Sequence, residues 1–173
     1  MASGSPVQRL RAFDECVIEE LASVLIDCVE GGASVSFMLP LPRPKAVAYW
    51  RGVAQSAERG ERAVLAALDA AGTIVGTVQL ILDLPENQPH RGDVAKMLVH
   101  RRGRRAGVGA ALLAAAEECA REEGRSLLVL DTANPEAARL YERNGWQRVG
   151  LVPGYALYPD GRPCGTTFYF KSL

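Results

Sequence analysis

The stretch Val99-His100-Arg101-Arg102-Gly103-Arg104-Arg105-Ala106-Gly107-Val108-Gly109-Ala110-Ala111-Leu112-Leu113 decides the fold. The apolar segment Met97-Leu98-Val99 leads into it and predicts a strand. A basic loop follows, ends in Gly-x-Gly and opens directly into an Ala/Leu helix. A glycine-rich turn leaves backbone N–H groups uncovered, and a helix N-terminus adds unpaired donors and a partial positive charge. Together they make an anion cradle of the size of a pyrophosphate. The four arginines of residues 101–105 raise the local potential further. The plain alternative is a loop with two glycines before an ordinary helix.

Outward from that stretch, the chain alternates between the two hydrophobic periods. On the N-terminal side, Val7 to Ala12 reads as a short edge strand and Asp14 as a helix cap. Val17, Ile18, Leu21, Val24, Leu25 and Cys28 recur at helical spacing, until Gly31-Gly32 stops the helix. Ala33 to Leu41 is a loop. A second helix is expected from about Pro44 to Ala57, with Val47, Trp50, Val53 and Ala54 inward. Arg62 to Leu68 and Thr73 to Leu82 predict a hairpin about Asp69-Ala70-Ala71-Gly72. Asp93 to Val99 is a strand and Gly107 to Glu123 a helix. Beyond it, Leu127 to Leu130 is a wholly apolar strand, as for one covered on both faces. Pro135 to Arg143 is a helix, Trp146 to Val152 and Thr166 to Phe170 are strands, and Pro153 to Gly165 reads as a long Gly/Pro-rich loop. The strands flanking the Gly107 helix are expected to pair in parallel through a right-handed crossover. The hairpins at either end are expected to be antiparallel. The result is an α/β (α+β) fold: one domain over residues 1–173, with a mixed, largely antiparallel sheet, a central parallel pair and helices on both faces.

Composition narrows the function. With 20 basic and 20 acidic side chains the formal net charge is zero, so no global field argues for nucleic acid or membrane binding. The local basic run suits a small polyanion better. Cys16, Cys28, Cys119 and Cys164 show no Cys-x-x-Cys spacing, and only His90 and His100 stand beside them, so no metal site is expected. Cys16, Cys28 and Cys119 fall on apolar helix faces and read as buried thiols. Met1 to Pro6 lacks the apolar core of a signal peptide. No stretch approaches the roughly 20 apolar residues of a membrane span. A soluble, cytoplasmic protein is expected, and a homodimer is compatible with the sequence.

Three chemistries use a glycine turn of this kind. A P-loop needs Gly-Lys-Ser/Thr at the helix start, whereas Gly109 is followed by Ala110-Ala111. A Rossmann dinucleotide site matches in outline, with Asp131 about 20 residues on. Against it, Leu112 occupies the third fingerprint position, and seven residues, His100 to Ala106, separate strand from Gly107. The third reading fits every spacing. Arg104-x-x-Gly107-x-Gly109 resembles the Arg/Gln-x-x-Gly-x-Gly/Ala pattern of the GNAT family of acyl-CoA-dependent N-acetyltransferases. Leu128-x-Leu130 and Asn134-x-x-Ala137-x-x-Leu140-Tyr141-x-x-x-Gly145-Trp146 resemble that family's later motif. Within the family, the chain is most similar to the tabtoxin-resistance acetyltransferase group. The similarity lies at Gly31-Gly32-Ala33-Ser34-Val35 with Phe37-Met38, at Lys96-Met97-Leu98-Val99, at Leu130-Asp131-Thr132 and at Pro153-Gly154-Tyr155. It continues through Pro159-Asp160-Gly161-Arg162 and Tyr169-Phe170-Lys171. Arg105-Ala106 departs from the usual Gly-Arg of the phosphate loop, and Ala resists the positive φ that Gly accepts.

The resemblance implies an N-acetyltransferase that moves an acetyl group from acetyl-CoA to a small-molecule amine, such as an amino-acid-like toxin or antibiotic, within a ternary complex. A non-catalytic acyl-CoA sensor is the alternative. By resemblance, the backbone of Met97, Leu98 and Val99 holds the pantetheine arm. Arg104, Arg105, Ala106, Gly107, Val108, Gly109 and Ala110 hold the pyrophosphate, and Asn134 hydrogen-bonds the pantetheine or simply caps its helix. Tyr141 is implied as the acid for the leaving thiolate. Asp93 or Asp131 would take the proton of the ammonium, directly or through water. Asp93 has the better positional match and Asp131 the more apolar sequence surroundings; Glu86 is a weaker third. A backbone N–H near Met97 or Leu98 is expected to meet the oxyanion. Ser34, Phe37, Met38, Trp50 and Tyr155 are expected to wall the acceptor.

Overall fold

The computed structural model describes residues 6–173, so the reading of the first residues as free of a leader lies outside the described residues except at Pro6. The elements run β1 (Val7–Arg9), α1 (Glu15–Glu30), α2 (Arg43–Glu58), β2 (Arg62–Leu68), β3 (Ile74–Ile81), β4 (Arg91–Val99), α3 (Val108–Glu122), β5 (Leu127–Thr132), α4 (Pro135–Arg143), β6 (Gln147–Leu157) and β7 (Pro163–Ser172). They form a seven-stranded sheet in the order β1-β2-β3-β4-β5-β7-β6. Every strand contact is antiparallel except β4 with β5. The expected crossover through α3 is therefore the one parallel step, with hairpins on both sides of it.

Two cores sandwich the sheet. One face packs Val94, Leu128 and Leu130 against Leu112, Leu113 and Ala116 of α3 and Tyr141 of α4. The other packs Val64, Ala66 and Leu98 against Leu21 and Leu25 of α1 and Trp50 and Val53 of α2. Each fully buried leucine contributes about 1.5–3 kcal/mol, so each helix is held chiefly by its apolar face. Asp14 caps α1 as expected, its carboxylate accepting from Val17 N–H at 2.9 Å. Cys28 and Cys119 are buried, but Cys16 is exposed: it lies in the first turn of α1 on the solvent side, 3.9 Å from Glu20 Oε1.

The expected loop from Pro153 to Gly165 is instead the meeting of two long strands. β6 continues to Leu157, β7 begins at Pro163, and a tight turn closed by Tyr158 N–H to Arg162 O (2.8 Å) joins them. Pro and Gly are tolerated because β6 is the sheet's edge and its register slips between Val152 and Ala156, where a bulge takes up Pro153 and Gly154.

Candidate functional site

β4 and β5 pair only at Arg91–Leu127, Gly92–Leu128 and Asp93–Val129. β5 continues to Thr132 and β4 to Val99, but the two no longer pair. The cause lies in β4. Its register against β3 jumps between Thr77 and Gln79, opposite Leu98 and Ala95, and Lys96 has φ +51°. One extra residue is thus inserted, and it reverses the alternation. Val94 faces the α3/α4 core, and so do Met97 and Val99, while Leu98 faces the α1/α2 core. A bulge bends its strand, and here it turns β4 away from β5. The two strands therefore part beyond Asp93 and Val129, leaving a wedge between them.

The basic loop lies at the mouth of this wedge. A short 3-10 turn, Arg101–Gly103, is tied to α1. Asp27 of α1 is buried and accepts from the backbone N–H of Arg101 at 2.8 Å and from its guanidinium; His100 Nε2 is 3.6 Å away. Burial, with the neighbouring arginines, pulls the His100 pKa below its usual value, against the pull of Asp27. Arg102 donates to Ile74 O at 3.0 Å and Arg104 to Val99 O at 3.3 Å. Three of the four arginines therefore anchor the loop. Arg105 is exposed and carries a left-handed backbone, φ +61°. Ala106 does not, so the alanine of the departing Arg105-Ala106 pair sits without strain.

Gly107 caps α3 with φ +77°, a conformation costly for any residue with a Cβ, and offers no capping side chain. The first intrahelical bond of the new helix is Ala111 N–H to Gly107 O. The N–H groups of Val108, Gly109 and Ala110 are left uncapped, at the positive end of a 15-residue helix. Gly109 packs closely on α4: a Cβ there would meet Leu140 Cδ2 at 3.1 Å, so that side chain would have to shift. Of the residues expected to hold a pyrophosphate, Val108 to Ala110 thus present free backbone donors, while the Arg104 guanidinium is engaged with Val99 O.

The α3/α4 face of the wedge presents Tyr141. The ring is buried between Trp146 and Tyr169, each 5.9 Å away centroid to centroid. Its cage is rigid, because Trp146 Nε1 donates to Glu117 at 2.9 Å and Tyr169 Oη to Glu142 at 2.9 Å. Burial, with Asp131 and Tyr169 nearby, drives the phenol pKa upward, so it stays protonated. Asn134 caps α4, its Oδ1 accepting from Glu136 and Ala137 N–H at 2.8 and 3.3 Å. Beside it a groove of about 480 Å³ runs between α4 and Leu151, Gly165 and Thr167 of β6–β7.

The opposite face presents the carboxylates, and here the expected contrast between them is reversed. Asp131 is exposed where β5 runs out into the wedge, 3.5 Å from Thr166 Oγ1, because the apolar run before it ends at Leu130. Asp93 is the half-buried one. Its pKa is raised by burial and by Asp131, against the pull of Arg91. Arg91 lies 3.3 Å away but does not align to hydrogen-bond, and Asp93 Oδ1 is buried without a partner. Glu86 is exposed on the loop before β4.

Ser34, Phe37 and Met38 belong to the loop after α1. That loop is stitched to the β6–β7 hairpin by Ser34 Oγ to Leu157 O (2.8 Å) and Leu39 N–H to Pro159 O (3.0 Å). Tyr155, exposed, stands edge-on to Phe168 of β7 at 5.6 Å, and Phe168 is the cross-strand neighbour of Asp131. Trp50 is not a wall residue. It has no exposed surface and fills the α1/α2 core, since the period that turns it inward beside Val47 and Val53 removes it from solvent. Its neighbour Tyr49 packs edge-on against Phe37 at 5.1 Å instead. Tyr49 and Lys96 are the residues that the sequence reading passed over. Among the described residues, no cluster of His, Cys, Asp and Glu is arranged to hold a metal, and no helix is long and apolar enough to cross a membrane.

The profile of the GNAT acetyltransferase domain matches residues 59–148, from the end of α2 to the start of β6. Among solved structures, the fold is similar to a ribosomal-protein-alanine N-acetyltransferase from Brucella melitensis: TM-score 0.79, 21% identity, over 97% of this chain and 99% of that one. It is also similar to a phosphinothricin acetyltransferase from Sinorhizobium meliloti in complex with acetyl-CoA: TM-score 0.80, 17% identity, 98% and 89% covered. The yncA protein of Salmonella typhimurium, solved with acetyl-CoA, gives TM-score 0.80 at 17% identity, over 99% and 95%.

Proposed function

This chain belongs to the GNAT acetyltransferase family, and from that premise we propose that it transfers an acetyl group from acetyl-CoA to the primary amine of a small molecule. The observation that carries this reading is the β4–β5 wedge, with a protonated phenol on one face and two carboxylates on the other. The residues present fit acetyl-CoA. Gly107 clears the approach to the α3 N-terminus, where a Cβ would meet nothing within 4 Å but would strain the backbone, and Val108 to Ala110 offer uncapped donors to a pyrophosphate. Arg105 is the arginine left for a phosphate, and Arg104 shapes the loop. The unpaired stretch of β4 at Met97 and Leu98 suits an extended arm laid alongside it as a strand.

The amine arrives as an ammonium, with a reference pKa of about 10.4 for a lysine-like group. Asp93 accepts its proton, directly or through water, with Asp131 beside it. The raised pKa of Asp93 makes it a better base than an ordinary aspartate and poises it nearer neutral pH. Backbone N–H groups of β4 meet the charge developing on the thioester oxygen. Tyr141 donates its proton to the departing thiolate. No protein nucleophile is needed, because holding amine and thioester together in the wedge supplies several kcal/mol of the barrier. The resemblance to the tabtoxin-resistance group supports an amino-acid-like toxin or antibiotic as acceptor. Release of free thiol from acetyl-CoA across a panel of small amines tests the reading. Amine-dependent release is expected; binding of acetyl-CoA with no release for any amine contradicts it and favours a sensor.

A further inference from the structure

A chain of hydrogen bonds with a fixed polarity runs from Ser56, near the end of α2, across β2 and β3 to Tyr49. Ser56 Oγ donates to Glu61 at 2.7 Å and accepts from Arg62 Nε at 2.8 Å. Arg62 Nη1 donates to Gln79 Oε1 at 2.8 Å. Gln79, fully buried in mid-β3, is thereby oriented: its oxygen faces a group that can only donate, so its Nε2 is left to donate to Tyr49 Oη at 3.0 Å. The Tyr49 oxygen receives that bond, and its own proton is free to be given elsewhere.

Lys96 follows Ala95, the cross-strand partner of Gln79. Its Nζ reaches Ser36 Oγ at 3.0 Å, and Ser36 precedes Phe37, on which the Tyr49 ring packs. Both Lys96 and Ser36 hold left-handed backbones, at φ +51° and +77°. Strain of this kind persists where the surrounding structure fixes it, often at a functional site. Lys96 is partly buried along its length with its ammonium at an exposed bond to Ser36; it makes no ion pair among the described residues and has two donors unspent. Burial lowers its pKa, helped by Arg62 and opposed by Asp131, and a cation with free donors in such a place can receive an anion.

We propose that Lys96 Nζ and Tyr49 Oη form an anion subsite in the acceptor cleft, so that the acceptor is a zwitterion whose oxyanion docks there while its ammonium faces Asp93 and Asp131. The inference rests on the acetyl-transfer reading for what becomes of the amine. It adds that the substrate carries a carboxylate or similar oxyanion close to that amine.

The test uses matched acceptors: α-amino acids, their carboxamides and the corresponding decarboxylated amines, with thiol release as readout. The expected result is a preference of about tenfold or more in kcat/KM for the free acid, the scale of one charged hydrogen bond. Lys96→Met should bring that preference close to one by raising KM for the acid, and Tyr49→Phe should reduce it several-fold. Acetyl-CoA affinity measured by calorimetry should stay at the wild-type value in both. If Lys96→Met does not fold, the isosteric Tyr49→Phe carries the test. Equal turnover of acids and amides, or a preference that survives both substitutions, overturns the subsite. If no amine is acetylated, the acetyl-transfer reading falls by itself. Ligand-observed NMR with the same compounds then decides the subsite: acid-selective binding lost in Lys96→Met upholds it, and equal binding of acid and amide overturns it.

Discussion

The two sides of the β4–β5 wedge are built by different means. The side proposed for the cofactor is mostly main chain: a left-handed Gly107, the uncapped N–H groups of Val108 to Ala110 and the length of β4 that no longer pairs with β5. These lie in one continuous stretch, Val94 to Ala110, and their chemistry is largely independent of side-chain identity. The side proposed for the acceptor is made of side chains from separate elements, Ser36, Tyr49, Asp93, Lys96, Asp131 and Tyr155, brought to one region only by the fold. Generic backbone donors suit a ligand shared by a whole family. Specificity for one acceptor needs groups that differ from chain to chain.

The contrast breaks most sharply at Gly107. Gly107→Asp puts both a Cβ at φ +77° and a carboxylate at the helix terminus. Acetyl-CoA affinity by calorimetry should fall by about 100-fold or more, roughly 2.7 kcal/mol, while circular dichroism shows the fold retained. Unchanged affinity would remove the phosphate site from α3.

On the acceptor side the effects are titrations. The Asp131 charge raises the Asp93 pKa, so Asp131→Asn should move the acidic limb of the kcat/KM profile to lower pH. A limb that does not move would mean that Asp93 is not the titrating base. Asp93→Asn should depress kcat/KM at neutral pH and recover in part as pH approaches the amine's own pKa.

The smallest expected effect is on stability. The folded pKa of Asp93 is raised, so the fold favours the neutral acid. The stability this lends is whole below the unfolded pKa and is lost as pH rises through the folded one. Above that window the buried carboxylate weakens the fold. Asp93→Asn should therefore raise the melting temperature by about 1–3 °C at neutral pH, with little difference from wild type at pH below the unfolded aspartate value. Equal gains at both pH values would point to packing instead.

The same contrast explains what the sequence disclosed. β2 at Arg62–Leu68 and α4 at Pro135–Arg143 match their predicted bounds, because a short apolar or amphipathic run between Gly, Asn or Pro signals is a local code. The parallel step across α3 follows from element order alone. The bulge at Lys96 has no such mark: a lysine with positive φ is not announced by its neighbours, yet it opens the wedge. Asp131 follows an apolar run and so reads as enclosed, but β5 leaves the sheet's cover there. Trp50 and Tyr49 are adjacent on α2, and the period that sends the larger ring into the core sends the other towards the cleft. The first half of β6 reads as a strand, but Pro153 to Leu157 reads as loop because edge strands admit the Pro and Gly that interior strands exclude.

The central claim is that proton acceptance and proton donation are assigned to opposite faces of the wedge, with Tyr141 as the donor. Steady-state kinetics and calorimetry of Tyr141→Phe test it most directly, since the substitution removes one hydroxyl and leaves the ring between Trp146 and Tyr169. At saturating amine, kcat should fall by about 10- to 1,000-fold, overlapping the range of acid–base groups, with acetyl-CoA affinity held within about twofold, less than 0.5 kcal/mol. Wild-type turnover in that variant would contradict the account and leave Tyr141 a core tyrosine.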